Sequence, residues 1–465
     1  MQPLISVYIT NHNYGRFISQ AVESVLAQTI SDYEIIIIDD GSSDNSREII
    51  EKYAEYDNIK IILQNKHGLN VTNNIAMRAA SGKYIMRLDA DDYLDHNALL
   101  VMSNKLESDS ELGLVFPDYY LVDEGGAILS LEKRHDFSTE VKVLDQPAHG
   151  ACTMIRREFL MQLNGYDERY ECQDGYELWI KFINHFKVDN VATPLFYYRQ
   201  HGNNLTSNEN KILNTRSKIK HNFAQENGKE ILNAVAILPI RDYKNSRDDL
   251  AFTLLGDKKI IDWKIESALE SRYISKIIVT SPDTRLKEHI NNTYRGLDDV
   301  IFVFRDPKLT RLNTDLTGTI DHVIYEVNDQ LKDANTILLS GLEFPFITAA
   351  ILDDAINTLS IFDTDSLISV RPETNLFFQH DGEGMKSILN QEKFTKLERE
   401  ALYRYTGGIS AVRLDYYEKN KKVIGGKVGH IIIDQKSSQG IFTSHDKEIA
   451  QYIASKILSE EIGRN

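Results

Sequence analysis

Four aspartates follow a largely apolar strand-like segment, residues 83–88, and they lie at positions 89, 91, 92 and 95. Side chains two apart on extended backbone leave the same face, so Asp89 and Asp91 present two carboxylates together. Hard oxygen ligands of this kind suit Mg²⁺ or Mn²⁺. Because Mg²⁺-type sites usually take one or two carboxylates and complete the octahedron with water and phosphate oxygens, a diphosphate is the expected additional partner. The alternative is turn chemistry that caps the next helix.

The elements before these aspartates alternate between strand and helix. Residues 35–38 are four consecutive isoleucines, a pattern typical of a parallel strand covered on both faces. The predicted order is strand 4–10, helix 17–26, strand 33–40, helix 46–56, strand 59–63 and helix 71–80, followed by the carboxylate strand. This rhythm predicts a doubly wound α/β sheet, whose ligands bind at the carboxyl ends of the strands. Asp39, Asp40, Asp89 and Asp91 all lie at such ends.

Length and composition bound the class of protein. A chain of 465 residues predicts two or three domains. Apolar residues make up 42% and charged residues 26%, with nine prolines, which is typical of soluble globular proteins. The formal charge of −16 argues against a nucleic-acid partner, because phosphate backbones are bound by basic faces.

Three features of the sequence predict the cellular compartment of the protein. The first strand begins close to Met1, so no signal peptide is expected. No apolar run approaches the roughly 18 residues that span a bilayer, so any membrane contact is expected to be peripheral, at the inner face. Cys152 and Cys172 are the only cysteines and are predicted to be reduced thiols of a cytoplasmic protein.

Six sequence blocks resemble those of the inverting family 2 glycosyltransferases, which have the GT-A fold. The resemblance covers residues 4 to about 206, and its blocks are Ser6–Asn13, Ala21–Thr29, Ile38–Asp44, Leu88–Asp92, Cys172–Trp179 and Tyr197–Thr206. It implies transfer of a sugar from a nucleotide-sugar donor, expected to be a UDP-sugar, to a glycan, lipid-linked or protein acceptor.

The resemblance also implies residue roles. Inverting transfer needs a base for the acceptor hydroxyl and an electrophile for the departing nucleoside diphosphate. Asp174 would be the base, Asp91 a metal ligand, and His201 would approach the metal or diphosphate. The implied donor contacts are Asp89 at the ribose and metal edge, Asp40 and Thr10 at the base and ribose, and His12 in place of a stacking aromatic residue.

Three of these residues also have structural interpretations. Asp174 could be a helix N-terminal carboxylate favoured by the dipole, and His12 and His201 could be ordinary loop histidines. The sequence also departs from the family. Asn73-Asn74 stands where an Arg-Asn pair is common, so a positive charge near the donor would be missing, and Gln173 replaces a usual Glu.

The second half begins a new α/β pattern after a boundary placed at residue 228, with predicted strands at 234–239, 276–279 and 336–339 and a helix at 261–269. It resembles the cytidylyltransferases that activate sialic-type acids. The matching runs are Ile237–Arg241, Leu254–Ile261, Ile278–Asp283, Thr314–Ile320 and Thr406–Ser410.

The chemical segments of that second family are altered here. Residues 242–245 replace a Gly-Gly-Ser-Lys segment, residues 340–347 replace a Gln-Pro-Thr-Ser-Pro-Leu-Arg run, and residues 440–443 replace an Asp-Ile-Asp-Thr metal segment. Lost glycines block phosphate approach, and lost carboxylates remove a metal ligand. The resemblance therefore implies an inactive domain that forms a homodimer.

The predicted fold class is α/β, with two nucleotide-binding-like domains in tandem: a GT-A domain at 1–228 and a Rossmann-like, cytidylyltransferase-like domain at 229–465. The predicted function is metal-dependent inverting glycosyl transfer with Mn²⁺ or Mg²⁺. Two rivals are a bifunctional enzyme that both makes a CMP-sugar and transfers a sugar, and a non-catalytic glycan-binding scaffold. Acceptor contacts are expected from residues 117–150, which include Tyr119, Tyr120, His135 and His149.

Overall fold

The computed structural model describes residues 2–133, 150–201, 209–241, 249–310, 315–373 and 402–462, with a short hairpin and its neighbours at 375, 377–380, 382 and 384–387. The chain divides into two compact units between Arg216 and Ser217, inside a helix that spans Glu209–Glu226. The predicted boundary at residue 228 lies just after this helix.

The first unit alternates strands and helices, as the sequence pattern predicts. Its strands are β1 (Ile5–Asn11), β2 (Tyr33–Asp40), β3 (Ile59–Gln64), β4 (Tyr84–Asp89), β5 (Tyr93–Leu94), β6 (Leu112–Val122), β7 (Ile128–Glu132), β8 (Met154–Arg156) and β9 (Lys187–Arg199). Its helices are α1 (Ile18–Leu26), α2 (Ser46–Ile50), α3 (Leu69–Ala79), α4 (Ala98–Glu107), α5 (Arg157–Gln162) and α6 (Asp174–His185), and α7 (Glu209–Glu226) follows.

Within the described residues these strands form one nine-stranded sheet in the order β3-β2-β1-β4-β8-β6-β9-β5, and β7 pairs with β6 outside this path. The four strands β3, β2, β1 and β4 are parallel. From β8 onward the sheet is mixed, because β8 runs antiparallel to both β4 and β6. The parallel part of the sheet is the predicted part.

Both faces of the parallel strands are covered, which explains the run of isoleucines. Ile35 and Ile37 pack into one hydrophobic cluster with residues of α1 and α4. Ile36 and Ile38 pack into another with residues of α3, α5 and α6. Since alternate side chains leave opposite faces of a strand, a strand buried on both faces must be apolar throughout.

The second unit is also α/β. Its strands are β10 (Ala234–Pro239), β11 (Leu254–Leu255), β12 (Lys258–Lys259), β13 (Ile274–Ser281), β14 (Val300–Phe304), β15 (Thr336–Ser340), β16 (Ser366–Glu373), β19 (Leu402–Arg413) and β20 (Val428–Ile432). The intervening hairpin, β17 (Phe378–His380) with β18 (Met385–Ser387), groups with the first unit. The helices are α8 (Ile260–Leu269), α9 (Thr284–Thr293), α10 (Thr317–Val327), α11 (Ala349–Ile361), α12 (Leu414–Asn420) and α13 (Ser444–Ile462).

The main sheet of the second unit has the order β14-β13-β10-β15-β19-β16-β20. The first four strands in this order are parallel, and β19 runs antiparallel to β15. The first sheet has the same arrangement, with its third, second, first and fourth strands in parallel and an antiparallel strand next. The two units therefore share this part of their topology.

Some predictions differ from the structure or lie outside it. The helix predicted at 46–56 is shorter: α2 ends at Ile50 and a 3₁₀ turn continues to Tyr53. The altered segment 242–245, His135, His149, Thr314 and residues 202–206 lie outside the described residues. Both cysteines are buried, and neither forms a disulfide bond. Across the described ranges, no helix is long and apolar enough to cross a membrane.

Candidate active site

The carboxyl ends of the parallel strands bring polar side chains to one edge of the first sheet. Thr10 lies beside Asp89 in the register of β1 and β4, and Asn11 lies beside Asp39 in that of β1 and β2. The Thr10 hydroxyl donates to Asp89 Oδ1 at 2.8 Å, and the Asn11 amide donates to Asp39 Oδ1 at 2.9 Å. Doubly wound sheets bind ligands outside these strand ends, so this edge is the candidate site.

Arg87, on β4, joins two of the predicted site residues. It is 5% exposed. Its Nη2 donates to Asp89 Oδ2 at 3.1 Å, and its Nη1 forms an ion pair with Asp174 Oδ2. Burial acts to lower the pKa of Arg87, but the carboxylates of Asp174 and Asp89 outweigh burial and hold that pKa well above its ordinary value. Asp89 and Asp174 thus share one charged partner.

Asp174 is the first residue of α6 and is 7% exposed. Gln173 before it has left-handed backbone, with φ 66° and ψ 30°, and this turn directs the chain into the helix. Asn73 Nδ2 donates to Asp174 Oδ2 at 3.3 Å. The position agrees with a carboxylate favoured by the helix dipole. The contacts with Arg87 and Asn73 also hold the side chain toward β4 and α3.

Although Asn73-Asn74 stands where an Arg-Asn pair is common in the family, this part of the site still contains a positive charge. Asn73 contacts Asp174 itself, and its Oδ1 accepts a hydrogen bond from Tyr8 at 3.2 Å. Asn74 instead bonds the backbone carbonyl of Tyr166 at 2.8 Å. The guanidinium of Arg87 supplies the charge from the neighbouring strand.

Asp91 and His201 form the second part of the site. His201 Nε2 lies 2.9 Å from Asp91 Oδ2, and the two side chains are 1% and 9% exposed respectively. The His201 ring stacks on Phe17 at a centroid distance of 5.8 Å and meets Tyr14 edge-on at 5.5 Å. These contacts fix the orientation of the imidazole.

Negative charge is concentrated around Asp91. Burial raises the pKa of Asp91 and the charge of Asp89 raises it further, against the hydrogen bond with His201. Burial also raises the pKa of Asp92 well above its ordinary value, with Asp91 and Asp89 adding to the shift. In the part of the chain that the structure describes, Asp92 Oδ2 is buried without a hydrogen-bond partner. Crowded, desolvated carboxylates favour a cation beside them.

Arg199, the last residue of β9, holds the turn that carries Asp91 and Asp92. Its backbone N–H donates to Asp92 Oδ1 at 2.8 Å, and its Nε donates to the carbonyl oxygen of Asp91, also at 2.8 Å. Its guanidinium carbon lies 4.6 Å from the centroid of the Phe17 ring. Since His201 follows two residues later, the same strand end positions both the turn and the imidazole.

Asp40 and His12 lie at the ends of β2 and β1. The carboxylate of Asp40 accepts hydrogen bonds from the backbone N–H groups of His67 at 2.8 Å and Gly68 at 2.9 Å. His12 Nδ1 lies 2.8 Å from the carbonyl oxygen of Asp40, and Lys66 Nζ lies 3.1 Å from His12 Nε2. Asp40 therefore fixes the loop before α3, while His12 packs against that loop.

The predicted residues fall into three groups. Thr10, Asp89 and Asp174 are linked through hydrogen bonds and Arg87. Asp91 pairs with His201. His12 contacts the backbone of Asp40, and within the described ranges no hydrogen bond joins these two residues to the other groups. Tyr14 lies close enough to the first two groups to sense their charge. Burial raises the pKa of its hydroxyl most, and the charges of Asp91 and Asp89 raise that pKa further.

Sequence reasoning missed the roles of Arg87 and Arg199. A signal for Arg87 was present, because a charged side chain inside a buried strand needs a partner. Its spacing of two from Asp89 also places both on one face. Arg199 lies within a block that the resemblance covers, but its bonds to the Asp91–Asp92 turn depend on how β9 returns to the sheet. That return is a tertiary property.

The described side chains do not by themselves make up a complete metal-binding group. Among the described residues, no three His, Cys, Asp or Glu side chains come together as a metal-binding group. Asp91 and His201 supply two potential ligands, and ions such as Mg²⁺ commonly complete their shell with water or phosphate oxygens.

The curled α/β sheet with carboxylates at the ends of its parallel strands is typical of GT-A glycosyltransferases. The family model described as "Glycosyl transferase family 2" matches residues 6–163. An uncharacterised glycosyltransferase of Methanocaldococcus jannaschii is 30% identical over 207 residues, which cover 43% of this chain and 71% of that protein. The chain belongs to glycosyltransferase family 2, and it is a glycosyltransferase.

Larger relatives match over part of their length. The chondroitin synthase of Escherichia coli is 28% identical over 270 residues, which cover 57% of this chain and 37% of the synthase. This chain therefore spans well under half of that relative. A crystal structure of S. aureus TarS residues 1–349 with UDP-GlcNAc overlaps with a TM-score of 0.40 and 17% identity, over 48% of this chain and 66% of that one. That overlap is too low to transfer ligands or residue roles.

Proposed function

We propose that this chain is a metal-dependent, inverting glycosyltransferase that moves a sugar from a nucleotide-sugar donor to a carbohydrate, lipid-linked or protein acceptor. The observation that carries the proposal is the linkage of Asp89 and Asp174 through Arg87, beside the Asp91–His201 pair. Arg87 joins a carboxylate suited to the donor and a carboxylate suited to the acceptor, and the candidate cation site is the neighbouring Asp91–His201 pair. These are the parts that a single displacement at an anomeric carbon requires.

The metal part of the proposal is supported by the fit of the ligands. Two neighbouring ligands of an octahedral ion, each about 2.1 Å from the metal, are about 3 Å apart. Asp91 Oδ2 and His201 Nε2 are 2.9 Å apart. Asp91 and His201 would hold Mn²⁺ or Mg²⁺, with Asp89 at its edge. When bound, such an ion supplies Lewis-acid stabilisation of the leaving diphosphate.

The base part rests on Asp174. In this proposal the acceptor hydroxyl approaches Asp174, and the carboxylate takes the hydroxyl proton while the hydroxyl oxygen attacks the anomeric carbon from the face opposite the diphosphate. Burial of Asp174 and Arg87 excludes water from this place and strengthens the interactions between charges there. The expected product has the inverted anomeric configuration.

The nucleotide part uses Thr10, His12 and Asp40. Thr10 is fixed by Asp89, and Asp40 by the backbone of the loop before α3, so both side chains are preorganised. We assign the nucleoside to this end of the site, with His12 beside it and a UDP-sugar as the first donor to test. The names of the chondroitin and hyaluronan synthase relatives favour a growing polysaccharide as acceptor.

We further propose that the second unit serves self-association and does not synthesise CMP-sugars. The support is the alteration of residues 340–347 and 440–443 relative to the cytidylyltransferases that the unit resembles. Among the described strands β14 and β20 are the edges of this sheet, and they would be available for pairing between copies. A cytoplasmic location, with peripheral contact at the inner face of the membrane, remains part of the proposal.

The test of the proposed function is the stereochemistry of transfer. The full chain, Mn²⁺, a UDP-sugar of α configuration and oligosaccharide acceptors are incubated, and the new glycosidic bond is examined by NMR. A β-linked product is expected from inversion. An α-linked product would exclude the single-displacement mechanism and the assignment of Asp174 as its base.

A further inference from the structure

Asp174 is held by one of its two carboxylate oxygens. Arg87 Nη1 and Asn73 Nδ2 both contact Oδ2, the latter at 3.3 Å. Within the residues that the structure describes, no hydrogen bond reaches Oδ1 of Asp174. The two donors come from different elements, because Arg87 lies on β4 and Asn73 on α3. The side chain therefore has an anchored oxygen and an oxygen left for another partner.

We propose that Arg87 is a positioning residue for glycosyl transfer, which anchors Oδ2 of Asp174 so that Oδ1 faces the acceptor hydroxyl. This inference rests on the proposed function, in which Asp174 is the base. A base is effective only within hydrogen-bond reach of the proton it takes, and a misplacement of about 1 Å costs about 10²-fold in rate. Anchoring of one oxygen by two donors restricts rotation of the carboxylate.

Arg87 is itself rigidly placed. Its Nη2 bonds Asp89, which Thr10 also bonds. The backbone of Gly150 packs closely on the guanidinium, because a Cβ at that residue would come within 2.7 Å of Nη2. The backbone carbonyl of Arg87 accepts a hydrogen bond from Cys152 N–H at 2.7 Å. Arg87 therefore fixes the position of Asp174 relative to Asp89, the carboxylate on the donor side of the site.

A purely structural role for Arg87 would predict a different outcome of mutation. Buried ion pairs often add little net stability, because desolvation offsets their attraction.

Arg156 is a matched control in the same unit. It is 4% exposed and its guanidinium bonds the backbone carbonyls of Leu112 and Leu106, so Arg156→Lys changes a buried arginine outside the site.

The experiment is a double-mutant cycle in the full chain. Arg87→Met and Asp174→Asn are made singly and together, and kcat for transfer and the donor Kd are measured beside a thermal melt. We expect Arg87→Met to lower kcat about 10²-fold and to have little further effect in the Asp174→Asn background, because a positioning residue acts through its target. Arg156→Lys is expected to lower the melting temperature and leave kcat within about twofold.

Each outcome decides between the proposals. Losses in kcat that multiply in the double variant, or an unchanged kcat in Arg87→Met, would overturn the positioning role while the base assignment stands. An unchanged kcat in Asp174→Asn would overturn the base assignment and the inference with it. If Arg87→Met does not fold, Asn73→Ala removes the other anchor and enters the same cycle, with an expected loss of about tenfold that disappears beside Asp174→Asn.

Discussion

His201 Nε2 lies 2.9 Å from Asp91 Oδ2 although 110 positions separate the two residues in the chain. The contact joins the turn after β4 to the end of β9, and Arg199 reinforces it by bonding the backbone and side chain of that turn. The site is therefore completed by the last strand of the first unit's sheet. A fragment that ends before β9 would lack one of the two candidate metal ligands.

The Asp91–His201 pair predicts metal binding that one substitution removes. Asp91→Asn should lower the affinity for Mn²⁺ measured with UDP present, and should nearly abolish transfer, because metal stabilisation of the leaving group contributes several kcal/mol. Electron paramagnetic resonance of free Mn²⁺ measures the binding directly.

Asp95→Asn is the matched control for that variant, because Asp95 belongs to the same aspartate-rich segment but bonds the backbone of Asn97. It should bind Mn²⁺ as the wild-type chain does. Equal Mn²⁺ affinity in the Asp91→Asn and wild-type chains would refute the metal site.

Asp174→Asn should retain the donor and lose turnover. The amide preserves the size of the side chain and its contact with Asn73, but it cannot accept the proton of the acceptor. Loss of a general base costs about 10²- to 10⁴-fold in kcat. Donor Kd from calorimetry and kcat from steady-state kinetics separate the two effects, and a donor Kd that weakens in step with kcat would move Asp174 to a binding role.

Glu177 lies one turn after Asp174, and because of it we expect the stability of the first unit to depend on pH. Burial, with a smaller contribution from Asp167, raises its pKa from 4.5 to about 7 despite the ion pair with Lys181. The folded state therefore binds this proton more tightly than the unfolded state, and stability falls as pH rises from 4.5 through about 7. At about 1.4 kcal/mol per pKa unit, ionisation costs up to about 3 kcal/mol.

Glu177→Gln removes that cost, so its stabilising effect should grow between pH 5 and pH 8. The chain has two tryptophans, and in a Trp263→Phe background Trp179 alone reports unfolding of the first unit by fluorescence. A gain in stability that is the same at both pH values would show that Glu177 does not titrate in this range.

From the proposed role of the second unit we expect the chain to form a dimer. We also expect that it does not transfer a nucleotide from CTP. Light scattering of the full chain should give about twice the monomer mass of 53.2 kDa. Incubation with CTP, Mg²⁺ and nine-carbon sialic-type acids should release no pyrophosphate. Pyrophosphate release would establish the bifunctional alternative, and a monomer at working concentrations would remove the assembly role.

The sequence was most informative where local pattern and tertiary structure coincide. The strand at Tyr33–Asp40 matches its prediction at both ends, and β10 does so in the second unit. In both strands a continuous apolar run requires burial on two faces, so pattern alone determines the element. The predicted helix 46–56 was too long because only its first turns remain α-helical before the 3₁₀ turn.

The remainder depended on contacts that are distant in sequence. Strands β8, β6 and β9 continue the sheet in mixed directions, and no local pattern specifies that order. Arg87 was read as part of an apolar strand, and its partner Asp174 lies 87 positions away. The resemblance predicts that Asp40 contacts the donor, and the structure adds that its carboxylate accepts hydrogen bonds from the backbone N–H groups of residues 67 and 68. These relationships become visible only when the sheet edge is assembled.

The most direct test of the central claim is the release of nucleoside diphosphate from a panel of UDP-, GDP-, TDP- and CMP-sugars by the full chain with Mn²⁺ and oligosaccharide acceptors. The account predicts acceptor-dependent release from one nucleotide class, abolished by EDTA and by Asp91→Asn and reduced about 10²- to 10⁴-fold in Asp174→Asn. Release that persists undiminished in Asp174→Asn with EDTA present would contradict it.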